Sequence, residues 1–228
     1  MGRTLLSLFQ ITDSFFPSGA FAHSWGLETY VAEGLIRDVE DLYRFLKAYI
    51  TCMVGRCDAL VVRLAFEGAE ARDVTSLFRL DRLVHSMKLA KELREGSIQT
   101  GRQLFRLMSE LQGSAVLEEF SSGLRTGRAL GHHPVVFGLI CHVIGAEGRD
   151  SVFAYFYTTL SSLVSAGVRL IPLGHTDGQR VIERLKPLLI EVTEEVFRLK
   201  EEDLSCFSPG IEIRAMRHET LYTRLFRS

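Results

Sequence analysis

The sequence predicts an all-α protein, a single-domain bundle of roughly nine to eleven helices over residues 1–228. Three observations carry that prediction. Apolar residues recur at helical steps, as in Val39–Leu42–Phe45–Leu46–Tyr49–Ile50 and Leu77–Leu80–Val84–Met87. No stretch alternates apolar and polar residues for long enough to make a strand, Ile211-Glu212-Ile213 being too short. Glycine and proline clusters punctuate the chain, yet none forms a linker long enough to demand a second domain.

The elements follow in order. A short apolar run, Leu5 to Phe9, precedes the turn Pro17-Ser18-Gly19. Asp38 and Asp73 stand where N-caps belong, before the two helical repeats just quoted. Gly96 and Gly113 are further punctuation, and Gly131 to Pro134 reads as a turn feeding a buried helix with Pro134 at its first position. After Gly145, Asp150 is placed to cap a helix starting near Ser151. Val152 to Pro172 is apolar but carries Thr158, Thr159, Ser161, Ser162, Ser165 and Arg169, a polar load that predicts a buried core helix and not a membrane span. A loop over Pro172 to Gly178 leads into Gln179–Lys200, where Val181, Leu185, Leu188, Leu189, Val192, Val196 and Leu199 keep helical spacing. Pro187 falls inside that repeat and either kinks it or starts a new helix. Ser208-Pro209-Gly210 is the last turn signal.

Charge is nearly balanced, with 27 Lys and Arg against 28 Asp and Glu, so no basic field exists to hold nucleic acid. The mean hydropathy is slightly positive, which points to surfaces buried against partners. Leu5 to Phe9 is too short for a secretory core and is followed closely by Gln10 and Asp13. The four cysteines, Cys52, Cys57, Cys141 and Cys206, form no C-x-x-C pair. They read as reduced thiols of a cytoplasmic protein.

Catalytic signatures are weak. Gly96 to Gly101 has the spacing of a P-loop, but Arg102-Gln103 replaces its lysine and hydroxyl residue, so the chain should not hydrolyse nucleotide. A hydrolase could be assembled on paper from Asp13, Ser14, His23 and Ser24, without any G-x-S-x-G elbow. Seven histidines occur, at 23, 85, 132, 133, 142, 175 and 218, with no H-E-x-x-H. The adjacent rings of His132 and His133 should point apart, so a closed metal site is not readable from the spacings, although imidazole suits nickel or zinc in transit.

Two segments stand out. Asp13 to Thr29 packs Phe15, Phe16, Phe21 and Trp25 together with His23 and Glu28 around a Pro/Gly turn. Residues 210–228 finish on Leu221/Leu225 and Tyr222/Phe226, which are i, i+4 pairs, flanked by Arg217, Arg224 and Arg227. Such residues at a frayed end have the composition of an interface anchor, a tail ordered by a partner.

Taken together, several segments resemble the urease accessory protein UreF family. They are Asp13-Ser14 through Pro17, Gly19, Phe21, His23-Ser24 and Gly26-Leu27-Glu28; Arg94-Glu95, Ser97 and Gly101-Arg102; His133-Pro134-Val135-Val136-Phe137-Gly138; Leu170-Ile171-Pro172-Leu173-Gly174 with Asp177-Gly178-Gln179; and His218-Glu219, Leu221-Tyr222, Arg224-Leu225-Phe226-Arg227-Ser228. His175 departs from the pattern, which leads one to expect Gln. The resemblance implies an all-α homodimer without enzymatic activity, bound to UreD (UreH in some systems), to the GTPase UreG and to urease apoprotein. Nickel would transit without a tightly bound cofactor, and GTP would belong to UreG. The implied partner-binding residues are Phe21, His23, Glu28, Tyr222, Arg224, Leu225 and Phe226, with Phe21 packing the tail and Glu28 pairing with an arginine. Two other classes stay open: a trans-acting regulator of the GTPase supplying Arg94, Arg102 or Arg227 as a finger, and the hydrolase of Asp13 and His23.

Overall fold

Long amphipathic segments wrap one almost wholly apolar helix. The computed structural model describes residues 2–227, and every regular element among them is helical. In chain order these are α1 (Gly2–Thr12), a 3-10 turn (Ala20–Ala22), α2 (Leu27–Ala32), α3 (Val39–Ala48), a π-helical stretch (Tyr49–Ala59), α4 (Leu60–Glu70), α5 (Val74–Met87), α6 (Lys91–Leu111), α7 (Ala115–Arg125), α8 (His133–Val143), α9 (Gly148–Leu170), α10 (His175–Val196), a 3-10 turn (Glu201–Asp203) and α11 (Pro209–His218).

The centre is α8, in which Pro134 to Cys141 are all buried. It packs on α4, α6 and α9. The approach to α4 is close enough that a Cβ at Gly138 would collide with the Val62 carbonyl oxygen. Gly101 on α6 gives way in the same manner to the Gly131 carbonyl. The turn before α8 is built around the fully buried Asp81, whose carboxylate accepts N–H bonds from Leu130, Gly131 (3.0 Å) and His132 (2.7 Å). Three backbone donors that would otherwise be orphaned are satisfied by one side chain.

Asp38 and Asp73 cap their helices, accepting from the N–H of Asp41 and of Ser76. Asp150 does not cap. α9 starts earlier, at Gly148 after Glu147, and Asp150 lies in its first turn, where a carboxylate still favours the positive end of the dipole. α9 is long and apolar enough to cross a membrane by length and composition, but 61% of its apolar window is buried inside the protein, as a core helix requires. α10 runs unbroken through Pro187, four residues longer at its start than the apolar repeat, because Asp177 bonds back to the Gly174 N–H. Ile211 and Ile213 lie in α11, opened by Pro209.

The expectation of four reduced thiols is corrected. Cys57 and Cys206 form a disulfide across 149 residues, while Cys52 and Cys141 remain free. Nothing local in the sequence brings these two together. The pairing arises because the segment after Glu201–Asp203 lies along the π-helical stretch, where the Ser205 N–H donates to the Arg56 carbonyl at 3.0 Å.

Candidate partner-binding site

The entry to α2 is made by two successive left-handed residues, Trp25 (φ 54°) and Gly26 (φ 90°). The positive φ favours glycine at 26, and Ala215 and the Ile211 carbonyl of α11 pack against that position. α11 therefore sits against the first turn of α2, and Glu28 in that turn meets His218 at the end of α11.

The contacts there form one connected network. His218 has no exposed surface. Its Nε2 lies 2.8 Å from Glu28 Oε2, and its Nδ1 lies 2.6 Å from Glu92 Oε2 on α6. Glu28 also accepts the backbone N–H groups of Leu225 (2.6 Å) and Phe226 (3.1 Å). Arg224 Nη1 donates to Glu92 Oε1 at 2.8 Å. The Phe226 ring is buried and carries the Arg169 guanidinium 4.4 Å from its centroid. That same arginine of α9 donates to the Phe21 carbonyl, and the Arg227 N–H donates to the Ala22 carbonyl at 2.9 Å. Residues 224–227 are thus fastened to the start of α2, to α6 and to α9, while Tyr222 is fully exposed and Leu225 is 62% exposed.

The tail departs from the expected apolar stripe. Helix α11 stops at His218, so Leu221/Leu225 and Tyr222/Phe226 do not line up on a helical face. The backbone donors that would continue a helix, Leu225 N–H and Phe226 N–H, are taken by the Glu28 carboxylate. A charge-assisted bond of this kind is stronger than an ordinary backbone bond. Glu28 does not pair with an arginine either; it holds His218, and Arg224 goes to Glu92. Phe21 is linked to the tail through Arg169, while its own ring lines a surface groove with Val164 and Val168.

His23 is buried, stacked on Trp25 with ring centroids 4.9 Å apart. Burial, with help from the positive Arg227 and His218, pulls its pKa down to about 4. Burial likewise takes His132 to about 3 and His133 to about 4. The rings of His132 and His133 do point apart. His132 joins Ser97 (3.1 Å) and His85 (3.2 Å), whereas His133 packs on Phe137 and Tyr155. His133 lines an internal cavity of about 50 Å³ with Tyr49, Asp58, Lys88, Ser97 and Tyr155, in which Lys88 pairs with Asp58 at 2.8 Å.

These three histidines fix an acid response. Each has a folded pKa below the unfolded value of 6.5. Their stability contribution is therefore complete above pH 6.5 and is lost as pH falls towards 4, and towards 3 for His132. Between those values the unfolded chain binds the extra protons, and stability falls by up to about 1.4 kcal/mol per pH unit for each histidine. Urea unfolding at pH 7, 6 and 5 should show this slope, and His23→Gln should reduce it by about one proton.

The hydrolase set is not assembled. Asp13 accepts the Phe15 N–H at the exposed end of α1, while His23 and Ser24 are buried beside α2. Two of the proposed finger arginines are committed within the chain: Arg94 donates to the carbonyls of Lys88 and Leu89, and Arg102 to that of Leu130. His175 is exposed at the start of α10. Among the described residues no group of three His, Cys, Asp or Glu side chains is placed to hold a metal ion. Sequence reasoning missed Glu92, Arg169 and the bridging role of His218. The charged pair Glu92 and Arg94 beside a glycine-containing buried face was the available signal for the first.

Comparison with known proteins extends over the whole chain through its relatives and over the middle of the bundle through a family model. A family model described as UreF matches residues 36–186. The urease accessory protein UreF of Bacillus sp. (strain TB-90) is 39% identical over 224 residues, covering 98% of this chain and 99% of that protein. That of Lachnoclostridium phytofermentans (strain ATCC 700394 / DSM 18823 / ISDg) is 37% identical over 228 residues, all of both chains. That of Geobacillus kaustophilus (strain HTA426) is 38% identical over 226 residues, 99% of each. With similarity running from the first turn of the bundle through the fastened tail, the chain belongs to the UreF family of urease accessory proteins.

Proposed function

We propose that this protein is a non-enzymatic adaptor in urease maturation. In this reading it joins UreD (UreH) to the GTPase UreG on urease apoprotein, as a homodimer in the cytoplasm, for GTP-dependent nickel insertion. The observation that carries the reading is the tail: one face of residues 222–226 is anchored in a buried polar network, and the other shows Tyr222 and Leu225 to solvent. A fixed backbone presenting an aromatic ring and a leucine is how interface anchors are built. A second apolar groove, between α1 and the end of α6, exposes Leu6, Phe9, Phe15 and Leu111 and adds surface for a partner. Nickel is cargo here, not a resident metal of this chain.

The test is co-purification of the full-length chain, of a chain ending at Pro209 and of Arg224→Ala with UreD and then UreG. Arg224→Ala removes the donor to Glu92 and should weaken UreD capture by loosening the hold of the tail on the bundle. Normal capture and normal urease activation by Arg224→Ala would remove the tail from the interface. A GTPase assay on UreG, with and without this chain, separates the adaptor from a regulator that supplies Arg227.

A further inference from the structure

We propose that His218 is a protonation latch, holding residues 224–227 against α2 and α6 while its ring carries two protons and releasing them when it carries one. An ionised carboxylate only accepts hydrogen bonds. His218 faces a carboxylate oxygen at each ring nitrogen, at 2.8 Å to Glu28 and 2.6 Å to Glu92. Both contacts are bonds only if both nitrogens bear hydrogen. The cluster is then neutral: two carboxylates, Glu28 and Glu92, are balanced by the imidazolium and by Arg224. Removal of one proton sets a nitrogen lone pair against a carboxylate oxygen and leaves a net negative charge where the imidazole has no exposed surface. A lone pair facing a carboxylate oxygen, and an uncompensated charge on buried groups, are both unfavourable.

The network must then open at its weakest side. Leu27 next to Glu28 and Leu93 next to Glu92 are buried in the core, so α2 and α6 are held. Residues 219–227 have no helix of their own and expose Tyr222 and Leu225. Their hold on the bundle includes the two N–H bonds to Glu28, the Arg224 pair with Glu92, the Arg227 N–H bond and the stack of Arg169 on Phe226. The tail is the part that gives. Among the described residues the charged groups bonded in this cluster are Glu28 from α2, Glu92 from α6 and Arg224 from the tail, and His23 from the loop before α2 lies near enough to feel the His218 charge. Of these, His218 is the one whose two nitrogens bridge both acids. Because the latched form holds a proton that the open form can shed, rising pH favours the open form. The latch is a property of this chain alone; its use in partner capture rests on the adaptor reading above.

The experiment uses the full-length chain with ¹⁵N-labelled histidine and measures two quantities across pH: the protonation of each His218 nitrogen and the exchange protection of the Leu225 and Phe226 amides, corrected for intrinsic exchange. The expected result is two N–H signals from His218 where the tail is protected, and at least a tenfold loss of protection in step with loss of one of them. His218→Gln should have a pH-independent tail. Three results would overturn the latch: a singly protonated ring beside a protonated glutamic acid while the tail is held, protection that ignores His218 titration, or a ring that stays doubly protonated until the chain unfolds. If His218→Gln does not fold, the wild-type titration decides alone. UreD capture measured at the two ends of the same pH range is scored separately. A tail that responds while capture does not would leave the latch standing and remove the adaptor role of the tail.

Discussion

Glu28→Ala should lower the unfolding free energy by about 3–5 kcal/mol, the usual effect of removing one member of a buried charge pair. At the size of this domain that corresponds to a fall in Tm of roughly 6–20 °C. The effect is large because one carboxylate serves three donors: His218 Nε2 and the N–H groups of Leu225 and Phe226. Alanine leaves all three unsatisfied, together with a bridging imidazole that keeps only Glu92. Calorimetry gives the midpoint, and amide exchange at Leu225 and Phe226 shows whether the tail lets go. Glu28→Gln keeps one acceptor oxygen and should recover part of the loss. Glu33→Ala is the control, because its bonds to Arg214 and Arg217 lie on the outer side of the same helices. If Glu28→Ala melts like the parent and keeps its tail amides protected, the network does not fasten the tail.

Cys206→Ser should destabilise the oxidised protein by about 5 kcal/mol, since a cross-link closing a loop of this length removes that much conformational freedom from the unfolded chain. The loop is set by the 149-residue separation of Cys57 and Cys206. Thiol titration tests the bond directly. In native protein without reductant, only the exposed Cys52 should react promptly, Cys141 being buried. After denaturation without reductant two thiols should react, and after reduction four. Four thiols before reduction would show the bond absent, and the stability difference between parent and Cys206→Ser should then vanish.

Most of the bundle was legible in the sequence because helix periodicity and capping are local. Asp38 and Asp73 cap as their positions imply, and the polar load in Val152 to Pro172 correctly identified a core helix. Errors came where a helix starts out of its expected register or where distant groups intervene. Asp150 looked like a cap, but α9 had already begun at Gly148. The i, i+4 apolar pairs of residues 221–226 suggested more helix, and a carboxylate 197 residues away from Leu225 claimed the backbone instead. Cys57 and Cys206 carry no spacing signal, and Glu92 belongs to none of the motifs that drew attention. Local patterns name segments; only the packed bundle says which acid meets which base.

The fastening of Phe226 to Glu28 also sets an order of events during synthesis. The two residues are 198 apart, so at ordinary elongation rates about 10–40 s separate their appearance. α2 and α6 have microseconds' worth of folding to do in that interval. Glu28 and, once it is made, Glu92 therefore wait as hydrated acids without these partners while the rest of the bundle forms, and residues 218–227 then close over them. Until then the nascent protein carries an open acidic notch that its own basic segment later fills.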